Sequence, residues 1–222
     1  MARVIAELDA GRLGEGVQNV REEIAAAARR AGRDPAEVEL LAAVKYVALE
    51  QLGLLAEAGL ELLGENRAQD LQAKAEAHPG VFRWHFIGQL QSRKVKAILP
   101  HVELIHSVAS DSALGQLGIH GSPETEVLVE VNVAREDGKA GVLPDDLPGF
   151  LKRSPVRVVG LMTMPPFTAD PEASRPHFAA LRELASEHGL RHLSMGTSQD
   201  YVVAVEEGAT IVRVGSVLYG VL

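Results

Sequence analysis

A (β/α)8 TIM-type barrel in the α/β class is the fold this sequence predicts. Eight short β-rich apolar runs alternate with amphipathic helical stretches along the whole chain. Over 222 residues their spacing is about 28 residues per run, the length of a strand–helix repeat. The residues just after the runs are polar and glycine-rich, as the binding face of a barrel requires. A doubly wound sheet of similar length is the competing architecture. Only eight residues follow Val214, too few for a full-length helix after strand eight. An extra N-terminal helix precedes strand one and is placed to cover that gap, which favours the barrel.

The first helix is read over Gly11 to Ala31. Leu13, Val17, Val20, Ile24 and Ala27/Ala28 recur at helical spacing, and Gly32 is its stop. Asp34-Pro35 turns the chain into strand one, Val38 to Val44, which ends at Lys45. A helix at Leu49–Ala58 leads to strand two, Leu62-Leu63 running into Gly64-Glu65-Asn66, and then a helix at Arg67–Ala77. Strand three is Arg83 to Ile87, closed by Gly88, and a helix follows at Ser92–Leu99. Strand four is Glu103 to Val108, with Asp111 as cap of the next helix. Strand five, Glu126 to Val133, places Val127, Val129, Val131 and Val133 on one face. A helix at Asp145–Lys152 precedes strand six, Val156 to Met162. Asp170-Pro171 opens a long helix through His188 that turns Phe178, Leu181, Leu184 and Ala185 inward and stops at Gly189. Strand seven is His192 to Met195, a helix spans Gln199–Glu207, and strand eight is Ile211 to Val214. No linker or low-complexity tract divides the chain, so residues 1–222 are read as a single domain.

Composition narrows the function. The apolar content of 46% suffices for a large core, and the net charge of −8 argues against nucleic acid as a partner. With no cysteine there is no disulfide scaffold, thiolate nucleophile or iron–sulfur cluster. No apolar stretch is long enough to span a membrane and the N-terminus lacks a signal peptide, so a cytoplasmic monomer is expected. The eight histidines show neither H-x-H nor H-E-x-x-H spacing, and no metal is expected.

The strand ends carry the candidates: Lys45, Asn66, Gly88-Gln89, Ser107, Asn132, Thr163-Met164, Gly196-Thr197-Ser198 and Gly215-Ser216. Lys45 is either a strand-end lysine reaching solvent or an amine held in a partly desolvated mouth. In the second case burial disfavours the ammonium and leaves free amine to condense with a carbonyl substrate or with pyridoxal 5′-phosphate (PLP). The Gly-Ser pairs after strands seven and eight sit where barrels recurrently bind phosphate, because glycine lets backbone N–H groups and hydroxyls approach the oxygens. Arg213, inside the last strand, needs an acceptor: a core carboxylate, or a ligand atom at the mouth.

Several longer motifs accompany these residues: GEN (64–66), WHFIGQLQ (84–91), IHSV (105–108), EVNVAREDGKAGV (130–142), GLMTMPP (160–166), LSMGTSQDYVVAVEEGAT (193–210) and VRVGSVLYG (212–220). On these the chain resembles the pyridoxal phosphate homeostasis protein family, single-domain relatives of the alanine racemase N-terminal barrel. The resemblance implies that Lys45 carries PLP as an aldimine and that Ser198, Gly215 and Ser216 hold its phosphate. It also implies that Arg213 faces the pyridine nitrogen, and that Asn66, His85 and Met164 line the pocket, with Met164 beside the ring. The chain departs from the family's pattern at Val44-Lys45-Tyr46-Val47, where a Ser/Thr-Lys pair and a proline turn are usual, and at Ala109 and Thr197.

What the resemblance implies is a protein that stores, buffers or delivers PLP, with PLP-dependent apoenzymes or free amino acids receiving it, rather than an enzyme. A racemase needs a base on each face of the α-carbon. The alanine racemases take the second, a tyrosine, from a C-terminal domain that no segment after strand eight supplies here. A guanidinium beside the ring nitrogen also weakens the electron sink. The alternatives are a weak PLP-dependent amino-acid racemase using Lys45 with Tyr46 or His85 as second base, and an aldolase-type barrel forming a substrate imine at Lys45 without cofactor.

Overall fold

In the computed structural model, which describes residues 5 and 7–220, the apolar runs form eight parallel strands and the last returns to pair with the first, closing the sheet. They are β1 (Glu39–Ala43), β2 (Leu62–Glu65), β3 (Arg83–Phe86), β4 (Leu104–Val108), β5 (Glu126–Glu130), β6 (Arg157–Met162), β7 (His192–Thr197) and β8 (Ile211–Val214). Period-two alternation separates two cores. Leu41, Leu62, Leu104, Leu128, Val159 and Ile211 form an apolar plug inside the barrel. Val127, Val129, Val212 and Val214 point outward into the layer shared with the helices. Gly64 belongs to the inner set, and a Cβ there would sit 2.9 Å from Ile87 Cδ1 and collide with the Leu41 side chain. The barrel is therefore filled rather than hollow below its mouth.

The helices are α1 (Ala10–Arg30), α2 (Leu52–Glu57), α3 (Ala68–Ala77), α4 (Val95–Ile98), α5 (Asp111–His120), α6 (Leu147–Arg153), α7 (Arg175–Glu187), α8 (Tyr201–Glu206) and α9 (Ser216–Tyr219). Asp9 caps α1 by accepting the Arg12 N–H at 2.8 Å, and the expected stripe of Leu13, Val17, Val20, Ile24, Ala27 and Ala28 is buried. This helix packs on α8 and α9, covering the outer face beside β8, where the short α9 follows among the described residues. At Gly16 the approach is so close that a Cβ would lie 2.8 Å from the Leu218 carbonyl oxygen.

The differences from expectation have local causes. The helix expected at Ser92–Leu99 is split into a 3-10 turn, the single turn α4 and a second 3-10 turn, Leu99–His101, that holds Pro100. The helix expected from Asp170 begins as a 3-10 turn, Pro171–Ser174, capped by Asp170, and becomes α-helical only at Arg175. Ser110, not Asp111, caps α5, accepting the Ala113 N–H at 3.2 Å. Strand β5 stops at Glu130, short of the expected Val133. There Asn132 captures its own loop, its Nδ2 donating to the Glu136 carbonyl at 2.9 Å and its Oδ1 accepting the Glu136 N–H at 3.1 Å.

At the N-terminal end Arg83 bridges Glu39 (2.7 Å) and Glu103 (2.8 Å), and Arg157 pairs with Glu126 (2.9 Å). These exposed pairs add little stability but keep that end charged. Among the described residues no helix is long and apolar enough to cross a membrane.

Candidate functional site

The opposite, C-terminal end is built around the β1–β8 seam. Ala42 pairs with Val214, so the turn after β1 and the turn after β8 emerge side by side. Gly215 lies beside β1, where a Cβ would rest in ordinary contact, 3.5 Å from both Cβ and O of Ala43. Tyr219 closes the same seam by donating its hydroxyl to the Ala43 carbonyl at 3.2 Å, and burial pushes its phenol up.

Lys45 stands in the turn directly beyond this seam. It is exposed, its Nζ lying 4.8 Å from the centroid of the Tyr46 ring, so of the two readings open from the sequence the structure shows the solvent-accessible amine. The backbone beneath it is tightly held. The Val44 N–H donates to the Gly64 carbonyl at 2.9 Å, and the Val44 carbonyl accepts Lys74 Nζ at 2.7 Å. Lys74 is buried and also donates to Glu65 Oε2 at 2.7 Å. Glu65, fully buried, uses its other oxygen to accept the N–H groups of Asn66 (2.7 Å) and Arg67 (3.3 Å). One ion pair thus fixes both the strand end below Lys45 and the peptide of Asn66. Asn66 itself is half-buried, and its buried Oδ1 has no hydrogen-bond partner.

Two loops face Lys45 across the seam. In the first, Gly196 has φ +90°, and a register shift between Ser194 and Thr197 re-aims the chain there. Buried Asp200 holds this loop, its Oδ1 accepting the Thr197 N–H (2.7 Å) and Oγ1 (3.1 Å) and its Oδ2 accepting the Ser174 hydroxyl (2.9 Å). In the second, Gly215 and Ser216 lead into α9. The two loops are joined, since the Gly215 N–H donates to Ser198 Oγ at 3.0 Å. Ser198, Gly215 and Ser216 are thus brought together, each partly exposed, at the end of the strand that pairs with β1.

Arg213 enters the barrel just below them. It is buried, donating to the Thr163 carbonyl at 3.0 Å and to the Ser194 hydroxyl. Among the described residues no carboxylate lies within ion-pair distance of it, and burial pulls the guanidinium down to about 10. Half-buried Glu130, at the end of β5, is its closest electrostatic counterweight; burial raises that carboxyl while Arg213 and Lys139 oppose the rise. A buried cation bound only to neutral acceptors is poised for an electron-rich ligand atom.

The other expected pocket residues are placed differently. His85 does not reach the mouth. It pairs in register with Gly64 and Leu104 in mid-strand, lies inside the barrel, and is hydrogen-bonded through Nδ1 to His106 Nε2 at 2.9 Å. Burial, with Arg83 nearby, lowers its imidazole to about 3. Met164 is exposed on the loop after β6 together with Phe167, where a small cavity of about 100 Å³ opens toward Thr197 and Asp200. Sequence reasoning passed over Lys74, Glu65, Asp200 and Ser194. Lys74 had a visible signal, since it falls on the apolar face of α3 three residues after Leu71.

Comparison with known proteins shows the family to which the fold belongs. The family model described as alanine racemase, N-terminal domain, matches residues 16–222. The pyridoxal phosphate homeostasis protein of Aquifex aeolicus is 42% identical over 220 residues, covering 93% of this chain and 96% of that protein. A crystal structure of a protein of unknown function from Bifidobacterium adolescentis superposes with a TM-score of 0.86 at 32% identity, covering 98% of each chain. PipY of Synechococcus elongatus, solved with PLP bound, superposes with a TM-score of 0.73 at 29% identity, covering 90% of this chain and 100% of its own. The strand-end lysine, the paired glycine–serine loops and the arginine of the last strand thus sit on a framework shared along nearly the whole chain, which belongs to the pyridoxal phosphate homeostasis protein family.

Proposed function

We propose that this protein binds PLP at the C-terminal mouth of the barrel, holds it through Lys45, and serves its storage, buffering or delivery inside the cell without substantial catalysis of its own. The residues fit that group. The donors of Ser198, Gly215 and Ser216 suit a phosphate, and the unpartnered Oδ1 of Asn66 offers an acceptor nearby. The observation that carries the reading is Arg213, a buried guanidinium with only neutral partners, placed below an amine and a phosphate cradle. PLP supplies an aldehyde that a lysine amine converts reversibly to an imine with loss of water.

The chain's own residues favour a carrier. Lys45 is exposed, so another amine or water can reach a bond made at its Nζ and reverse it; a closed active site excludes such attack. Arg213 is positively charged and a donor only, so it would hold a ring nitrogen placed against it as an acceptor and would weaken the electron-withdrawing chemistry the cofactor supplies. His85, a candidate second base, is spent on His106 inside the barrel. We extend the proposal to a cytoplasmic monomer, and to a single folded unit because all eight strands close one sheet.

The test is borohydride reduction of PLP-loaded protein followed by peptide mass spectrometry. A pyridoxyl group on Lys45, absent from Lys45→Ala, supports the reading; an adduct elsewhere, or none, overturns it. Steady turnover of a single-enantiomer amino acid by the loaded protein would overturn the non-catalytic part.

A further inference from the structure

Four polar side chains run through the barrel interior without a break. Arg213 Nη1 donates to Ser194 Oγ, Ser194 Oγ lies 2.8 Å from His106 Nδ1, and His106 Nε2 lies 2.9 Å from His85 Nδ1. All four are buried, so each polar atom needs its partner. His85 Nε2, at the far end, is 4.0 Å from a carboxylate oxygen of Glu103 at the N-terminal end of the barrel.

The protons in this chain have only one consistent order. A guanidinium can only donate, so Ser194 Oγ accepts from Arg213 and its own hydrogen must go elsewhere. The nearby acceptor is His106 Nδ1, which must then be bare. Burial and the charge of Arg213 keep His106 from taking a second proton, so its one proton is on Nε2 and is donated to His85 Nδ1. The proton of His85 is then on Nε2, toward the Glu103 carboxylate. In the opposite order the Ser194 hydrogen has no acceptor and a bare ring nitrogen faces that carboxylate.

We propose that His106 is a positioning residue for Arg213, acting through the Ser194 hydroxyl in a hydrogen-bond chain of fixed direction that crosses the barrel interior to His85. His106 orients the serine oxygen so that its lone pair meets the guanidinium, and the Thr163 carbonyl at 3.0 Å fixes the second edge. Between them the plane of Arg213 is set before any ligand arrives. The link to PLP retention rests on the function proposed above; the direction of the chain does not.

The experiment uses the full chain labelled with 15N at histidine and arginine. Without added PLP, both His85 and His106 should appear as neutral Nε2–H tautomers at pH 7, and Arg213 should show separate Nη signals from restricted rotation. A proton on Nδ1 of His106, or a charged imidazole there, overturns the proposal. In His106→Leu the Arg213 signals should average and PLP should leave about tenfold faster, the loss of one charge-assisted hydrogen bond. His106→Asn, which keeps an acceptor near the Nδ1 position, should restore both. Ser194→Ala, a smaller change, should act like His106→Leu and serves if the leucine variant does not fold. Unchanged Arg213 signals in a folded variant overturn the proposal. If wild-type protein retains no PLP, the functional reading fails, while the imidazole and guanidinium signals still decide the chain.

Discussion

Replacing Lys74 with methionine removes one half of the ion pair that underlies Lys45. The methionine fills most of the volume of the lysine stem, so little cavity is left and the effect is electrostatic. Glu65 would remain fully buried, with only the N–H groups of Asn66 and Arg67 to balance its charge, and the Val44 carbonyl would lose its 2.7 Å donor. Breaking a buried pair from one side costs about 3–5 kcal/mol. In a chain of this size that corresponds to a fall of roughly 10 °C in Tm. Urea and thermal unfolding followed by circular dichroism measure it directly. Adding Glu65→Gln removes the stranded charge while keeping an acceptor for the backbone, and should recover more than half of the loss. A fall of less than about 1 kcal/mol in Lys74→Met, or a double variant no better than the single, would refute the reasoning.

Three other outcomes follow from the geometry. Ser198→Ala combined with Ser216→Ala should weaken PLP binding by a few kcal/mol at most, since each bond to a phosphate contributes roughly 1.5–3 kcal/mol; equilibrium dialysis that finds no change would remove the phosphate from these loops. Gly196→Ala forces φ +90° on an L-residue and brings its Cβ to 2.6 Å from Ala204 Cβ and 2.9 Å from Tyr201 Cα, so a loss of about 3 kcal/mol is expected, and an unchanged Tm would contradict it. Acid should destabilise the fold early. His85 titrates near 3 in the folded protein against 6.5 when unfolded, and His106 shifts the same way, so the unfolded chain binds more protons below pH 6.5. Stability should therefore fall with pH from 6.5 downward, by about 1.4 kcal/mol per unit for each histidine, and a flat stability between pH 6 and 5 in urea titrations would exclude this.

What was legible in the sequence was what depends on periodicity and on strand ends. The stripe from Leu13 to Ala28 gave α1 to within one residue at each end, because a 3.6-residue repeat over 21 positions leaves no other solution. The positions of Lys45 and of the Gly-Ser turns beside the strand ends were legible because apolar runs stop there, and Arg213 stood out as a charge inside an apolar run. What periodicity does not carry is a strand end set by a side-chain hydrogen bond to the backbone, or a depth set by inter-strand register. The valine alternation ran strand β5 on to Val133, but the side chain of Asn132 captured the backbone first. The motif implies that His85 lines the pocket, but the depth of its side chain in the barrel depends on inter-strand register, which no local pattern reveals. For Lys45 the sequence leaves two orientations open, because a residue one step beyond a buried strand can point either way, and the structure shows the exposed one.

The seam where Ala43 meets Gly215 joins β1 to β8, the two strands farthest apart along the described residues. Under the proposed assignment, the amine and the anion cradle lie on opposite sides of that junction, so a nascent chain has nothing to trap its cargo with until the cylinder has shut. Cargo that bridges the junction would in turn rivet it, and proteolysis of the loaded form should slow most for nicks that must first pry β1 from β8.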